Sequence, residues 1–241
     1  MGLLSSFKRF SKKLWQGIKA VARIVVRIAW TLWTPFTNIW DLHFGFLNWP
    51  PKKLRIQILI LSSAPGKPVV DPANPALQAM IAYATKVFKD RLNVKLHPYS
   101  DTFIQVIDEP APHYALITHC VAGAGALTID EAGDAGEYFA QHLAGWNAIP
   151  ISITVPVTVF IVENIIDRAG CSLGPLTDYI VLRANGIKDA SLMAHELGHA
   201  CNLVWHSDSV SNLMWPGNTR GDLLNWFQRN LFRSSRHVRY I

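Results

Sequence analysis

The stretch "AHELGHACNLVWH", residues 194–206, decides how the rest of the chain is read. In a helix, His195 and His199 stand one turn apart on one face, with Cβ atoms about 5–6 Å from each other. Two imidazoles so placed reach a single tetrahedral Zn2+. Glu196, next to the first of them, stands where a carboxylate can act on water at an open metal position. Ala194, Leu197, Ala200 and Leu203 make the segment apolar enough to be buried, and a buried histidine pair flanking a glutamate needs a reason. The plain alternative is a core helix that happens to carry satisfied histidines.

A catalytic zinc site takes three protein ligands and keeps one position open. Glu196 is the last glutamate of the chain, which excludes a downstream glutamate as third ligand unless Glu163 or another upstream acid substitutes. The downstream candidates are His206, Asp208, Asp222 and His237, and the first two are nearest. For either to return to the metal, the helix must stop soon after His199. Asn202 suits that stop, because Asn, after Gly, is the residue best tolerated in the left-handed conformation that ends helices. Neutral imidazole suits zinc, so His206 is expected as the third ligand. Asp208 is the alternative ligand, or a hydrogen-bond partner of a ligand histidine.

With "SNLMWP" at 211–216, the stretch resembles the metzincin clan of zinc metallopeptidases, whose pattern is H-E-x-x-H-x-x-G-x-x-H followed by a methionine turn. The likeness covers about residues 190–218. It implies His195 and His199 as the first two ligands and Glu196 as general base. It puts Asn202 at the glycine, His206 near the third histidine and Met214 beneath the metal. Trp205 holds the usual third-ligand position, so three residues rather than two separate Asn202 from His206. The implied activity is zinc-dependent endopeptidase action on protein or peptide substrates, by a zinc-activated water whose proton Glu196 takes. An antiparallel edge strand above the cleft would pair with substrate backbone, and Ile151–Val162 is the expected candidate. Two other classes stay open: a catalytically inactive metzincin-like binding module, and a membrane-active protein with a structural zinc site.

The surrounding sequence alternates strand and helix patterns. "LRIQILIL" (54–61) reads as a buried strand. "NPALQAMIAYATKVFKDRL" (74–92) reads as a helix with Asn74 as N-cap, Pro75 in the first turn and Leu77, Ile81, Ala84 and Phe88 inward. "VKLHPYS", "FIQVI", "YALITHC" and "DYIVLRA" read as strands, "EYFAQHLAGW" as a helix. "ISITVPVTVFIV" reads as one or two strands interrupted by Pro156, which argues for an edge. A helix capped by Asp189 or Ser191 runs to about Leu203, and "DLLNWFQRNLF" is the last helix. The expected fold is an α/β, metzincin-like zincin domain. It has a mixed, mostly parallel sheet, a backing helix, an active-site helix and a C-terminal helix, preceded by an N-terminal amphipathic helix.

Composition separates residues 1–49 from 50–241. Residues 1–40 hold seven basic side chains and no acid, which leaves 16 basic against 17 acidic residues for the remainder. The net charge of +6 therefore reports the N-terminus, and no nucleic-acid-binding motif is present. Lys8, Lys12, Lys19, Arg23 and Arg27 run along one side of a helix, and Phe7, Phe10, Leu14, Ile18, Val21 and Val25 fall largely on the other. Five of the nine tryptophans precede residue 50, and indoles favour membrane–water boundaries. The uncharged run Ile28–Trp40 has 13 residues, short of the about 20 needed to span a bilayer. The segment reads as a helix on an anionic membrane surface, or as a targeting segment. The plain alternative docks it on its own domain with the basic stripe facing water.

Three cysteines, without C-x-x-C spacing, leave either buried thiols or one Cys171–Cys201 bridge. "GAGALTIDEAGDAGE" (123–137) reads as a solvated loop. The arginines 220, 229, 233, 236 and 239 read as solvating the last helix and tail.

Overall fold

A computed structural model of the chain describes residues 2–120, 133–143 and 156–240. Its central strand is β1 (Lys52–Ala64), which contains the expected apolar run. β2 (Lys67–Pro68) turns back on it, the backing helix Pro75–Leu92 follows, and β3 (Val94–Pro98) and β4 (Ile104–Pro110) return. β5 (Ile117–His119), β6 (Val157–Val162), β7 (Asn164–Ile166), β8 (Gly170–Ser172), β9 (Tyr179–Arg183) and β10 (Val238–Tyr240) complete the strands among the described residues. Along one edge β1 pairs in parallel with β3 and then β4. Along the other it pairs with β10, antiparallel, and then with β6, parallel. β9 continues parallel to β6, and β8 ends that side antiparallel to β9. The protein is thus α/β with a mixed, mostly parallel sheet.

β1 is a continuous apolar run because both its faces are covered. Leu54, Ile56, Ile58 and Ile60 enter one core, Leu59 and Leu61 a second on the opposite face. The first core receives Leu77, Ile81, Ala84 and Phe88 of the backing helix. Asn74 caps that helix by accepting from the Ala76 N–H at 2.9 Å. The same core takes Met193, Ala194, Leu197 and Ala200 from the helix Leu192–Ala200, and Phe232 from the C-terminal helix Trp226–Arg233.

Several expectations are corrected. Pro156 does not break a strand but directly precedes β6, where no ladder bond is lost. All six residues of β6 are buried, between β1 and β9, so it is central and not an edge; residues 151–155 of that run lie outside the described residues. "YALITHC" divides into a helical turn, His113–Leu116, and the short β5. Part of the 123–137 loop also lies outside the described residues, and the helix Asp134–Gln141 occupies its end.

Cys171 bonds to Cys120, with Cα atoms 6.0 Å apart, rather than to Cys201. The sheet is the reason: Cys171 faces the second core, while Cys201 is a buried free thiol in the first. The C-terminal arginines are not a solvated set either. Arg220 and Arg233 are buried, and Arg236 pairs with buried Asp178 at 2.6 Å. Their acids come from far away in the chain, where a local charge count does not see them.

The N-terminal helix Gly2–Thr37 and a short helix Ile39–Phe44 precede the sheet. Asp41 reaches across Pro50–Pro51 into the domain. Its carboxylate accepts from Lys52 Nζ (2.8 Å), Arg233 Nε (2.9 Å) and Tyr240 Oη (2.8 Å), and Asp41, Lys52 and Arg233 are fully buried. Burial pulls the Lys52 ammonium down to about 8 despite its bond to Asp41. Removing one member of a buried charge cluster leaves the others desolvated and unpaired, at about 3–5 kcal/mol. Asp41→Ala should therefore lower unfolding free energy by about 3–5 kcal/mol in a urea titration, whereas a change under about 1 kcal/mol would mean the cluster behaves like a surface pair.

Candidate metal centre

The helix Leu192–Ala200 is short because both of its ends are fixed. At the start, Asp189 Oδ1 accepts from the Ser191 N–H and hydroxyl. Arg220 donates to Asp189 Oδ2 (3.1 Å), Ser191 Oγ (3.3 Å) and the Trp215 carbonyl (3.1 Å), tying that end to the turn after Met214. The far end stops at Ala200, before the expected Leu203. Asn202 takes a left-handed conformation, φ 74°, and the Leu203 N–H closes back on the Gly198 carbonyl at 3.0 Å. That is the hydrogen-bond pattern of a helix end closed by a left-handed residue.

The chain after Asn202 then reverses. Val204 and Trp205 are exposed, and His206 comes back over the helix. One donor nitrogen from each of His195, His199 and His206 lies within 4.8 Å of the others, a group that could hold a metal ion. The His199 and His206 Nε2 atoms are 3.2 Å apart. Two imidazoles on a tetrahedral zinc, each at about 2.0–2.1 Å, place their nitrogens about 3.3 Å apart. The His206 ring stacks parallel to that of His195, and both meet His199 edge-on.

Backbone carbonyls orient two of the rings. The His195 Nδ1–H donates to Leu213 O (2.9 Å) and the His199 Nδ1–H to Leu203 O (2.6 Å), which leaves each Nε2 as the free donor. Burial, with neighbouring His199, pulls the His195 imidazole down to about 3, and burial takes His199 down to about 4. Burial, Arg168 and Arg220 lower His206 as well. Neutral imidazole is the form that binds metal.

Met214 sits beneath the helix. A Cβ on Gly198 would lie 2.7 Å from the Met214 sulfur, so the close packing of these two requires glycine there. The turn is held by Asn212, which accepts from the Met214 N–H and bonds to Gln228 on the C-terminal helix. The Ser207 N–H donates to Met214 O at 2.9 Å, fastening the His206 loop to the same turn.

Glu196 is buried against β8. Its carboxylate packs against Gly170, with Oε1 2.7 Å from where a Cβ there would lie. Burial pushes the carboxyl up to about 7, against the fields of Arg220 and Arg168. Sequence reasoning missed β8, because three residues show no periodicity. It also missed the Arg220–Asp189 clamp and the two carbonyls that orient the rings. The other ligand candidates are placed elsewhere. Asp222 pairs with Arg91 (3.0 Å), His237 is buried near Asp178, and Asp208 is exposed and outside the histidine group.

No family model matches the chain, and no curated protein sequence matches it. Among solved structures, the fold is similar to metalloproteinase-II from Bacteroides fragilis, with a TM-score of 0.46 and 12% identity over 71% of this chain. The match spans 49% of that structure, about half its length.

The geometry ranks the third donor. His206→Ala should weaken zinc binding by more than about 100-fold, beyond the about 10–100-fold typical of outer-shell changes. Asp208→Ala should leave affinity within a few-fold. A competition titration with a chromogenic chelator measures both, and the reverse order would give the third position to Asp208.

Proposed function

We propose that this chain is a zinc-dependent endopeptidase of metzincin type that hydrolyses peptide bonds in protein or peptide substrates. One observation carries the reading: three neutral imidazole donors converge beside a buried glutamate, and no fourth Cys, His, Asp or Glu joins their group among the described residues. The donor set fits zinc, which takes nitrogen ligands and, in catalytic sites, three from protein with one position open. His195, His199 and His206 would hold the ion. When bound, it supplies Lewis acidity, polarising a carbonyl and easing deprotonation of water.

The chain's own residues do the remaining work. Glu196 is the base: its buried carboxyl has a proton affinity raised towards neutrality, which suits it to take a proton and return it to the leaving amine. Gly170, with no Cβ, leaves room for the carboxylate against β8. Met214 packs on Gly198 of the helix that carries Glu196, and in this reading it would form an apolar floor under the imidazoles. β8 pairs only with β9 among the described residues and touches Glu196. Its free edge replaces Ile151–Val162 as the strand that receives an extended substrate, by backbone pairing.

Glu196→Gln keeps the volume and removes the base. It should retain stoichiometric zinc and lose about 10^2–10^4-fold in chelator-sensitive cleavage of a peptide library. Turnover at the parent rate with zinc bound would take Glu196 out of the mechanism.

A further inference from the structure

An amphipathic helix beside a globular domain ordinarily turns its apolar stripe inward. The helix Gly2–Thr37 is docked the other way round. Arg27 Nε donates to buried Asp178 at 2.8 Å, Thr31 to Pro175 O at 3.5 Å, and Asn38, just past the helix, to Ser234 O at 3.4 Å. With buried Thr34 they form one polar line along the helix, and that line meets the domain. Leu14, Ile18, Val21, Val25, Ile28 and Leu32 recur at alternating spacings of four and three on the opposite side, and all are exposed. The exposed apolar surface continues through Phe36, Trp40, Phe44, Phe46 and Trp49. Among the described residues, 16 of the 26 exposed large hydrophobic side chains precede residue 50. An exposed apolar surface this concentrated marks an interaction site.

Charge selects the occupant. Residues 1–40 hold seven Lys or Arg. No acid precedes Asp41. A second copy of this helix would bring two basic, acid-free segments together. An anionic bilayer accepts both the apolar stripe and the cations, and its interface suits the tryptophans. No helix among the described residues is long and apolar enough to cross a membrane. We infer that the outward face of Gly2–Thr37, with the aromatic segment through Trp49, is a docking surface for anionic lipid. The helix lies in the plane of the bilayer surface, with the domain held on its opposite side by Arg27 and Asp178.

The test is flotation of the full chain with phosphatidylcholine vesicles, with and without phosphatidylserine, beside size-exclusion chromatography without lipid. The parent should float with phosphatidylserine vesicles, fall off as salt is raised, and run as a monomer. Val25→Asp/Leu32→Asp, which alters only exposed positions, and Lys12→Glu/Lys19→Glu should each reduce flotation by at least about tenfold, with unchanged melting temperatures. Equal recovery on both vesicle types, unaffected by the variants, would overturn the inference. So would a lipid-free dimer that Val25→Asp/Leu32→Asp dissociates, since the face would then belong to a second copy. None of these readouts depends on peptide hydrolysis.

Discussion

A helix continuing past His199 would carry residue 206 about 10 Å along its axis, far beyond the reach of a shared metal ion. The left-handed residue Asn202 prevents this. It ends the helix, reverses the chain and brings a third imidazole over the first two. Leu203 then serves twice: its N–H closes the helix on Gly198, and its carbonyl holds the His199 ring. Ser207 fastens the same loop to Met214, next to the Leu213 carbonyl that holds His195. The loop that delivers one donor is thereby linked to the groups that orient the other two. Trp205 faces solvent within that reversal, and it is His206, one residue later, that reaches the other two rings.

Two buried carboxylates hold the molecule together around this site. Asp41 joins the short second helix to the start of β1 and, through Arg233 and Tyr240, to the C-terminus. Asp178, just before β9, binds Arg27 of the first helix and Arg236. Burial alone would raise the Asp178 carboxyl, but Arg236 and Arg27 together hold it well below the usual carboxylate range. The desolvation of each buried charge offsets much of the attraction, although loss of one member leaves the others unpaired.

The sequence was most legible where physical constraints act over short separations. The strand 54–61, the Asn74 cap with Pro75, the histidine spacing and the stop at Asn202 are all decided by neighbours within a few residues. Misreadings arose where partners are distant. Arg233 looks like a tail arginine until Asp41 is seen beside it, and Cys171 cannot be paired without knowing which face of the sheet it occupies. β6 resembles an edge strand only if Pro156 lies inside it; Pro156 stands just ahead of Val157–Val162. β8 carried no signal, since its role comes from antiparallel pairing with β9 and from contact with Glu196, neither of which three residues encode.

The coordination shell of the zinc-loaded protein tests the central claim most directly. X-ray absorption at the zinc edge should give three imidazole nitrogens and one exchangeable oxygen at about 2.0–2.1 Å, from protein holding one zinc per chain. A closed shell of four protein donors, a sulfur ligand from Cys201, or loss of only a weakly held ion with no imidazole signature would contradict it.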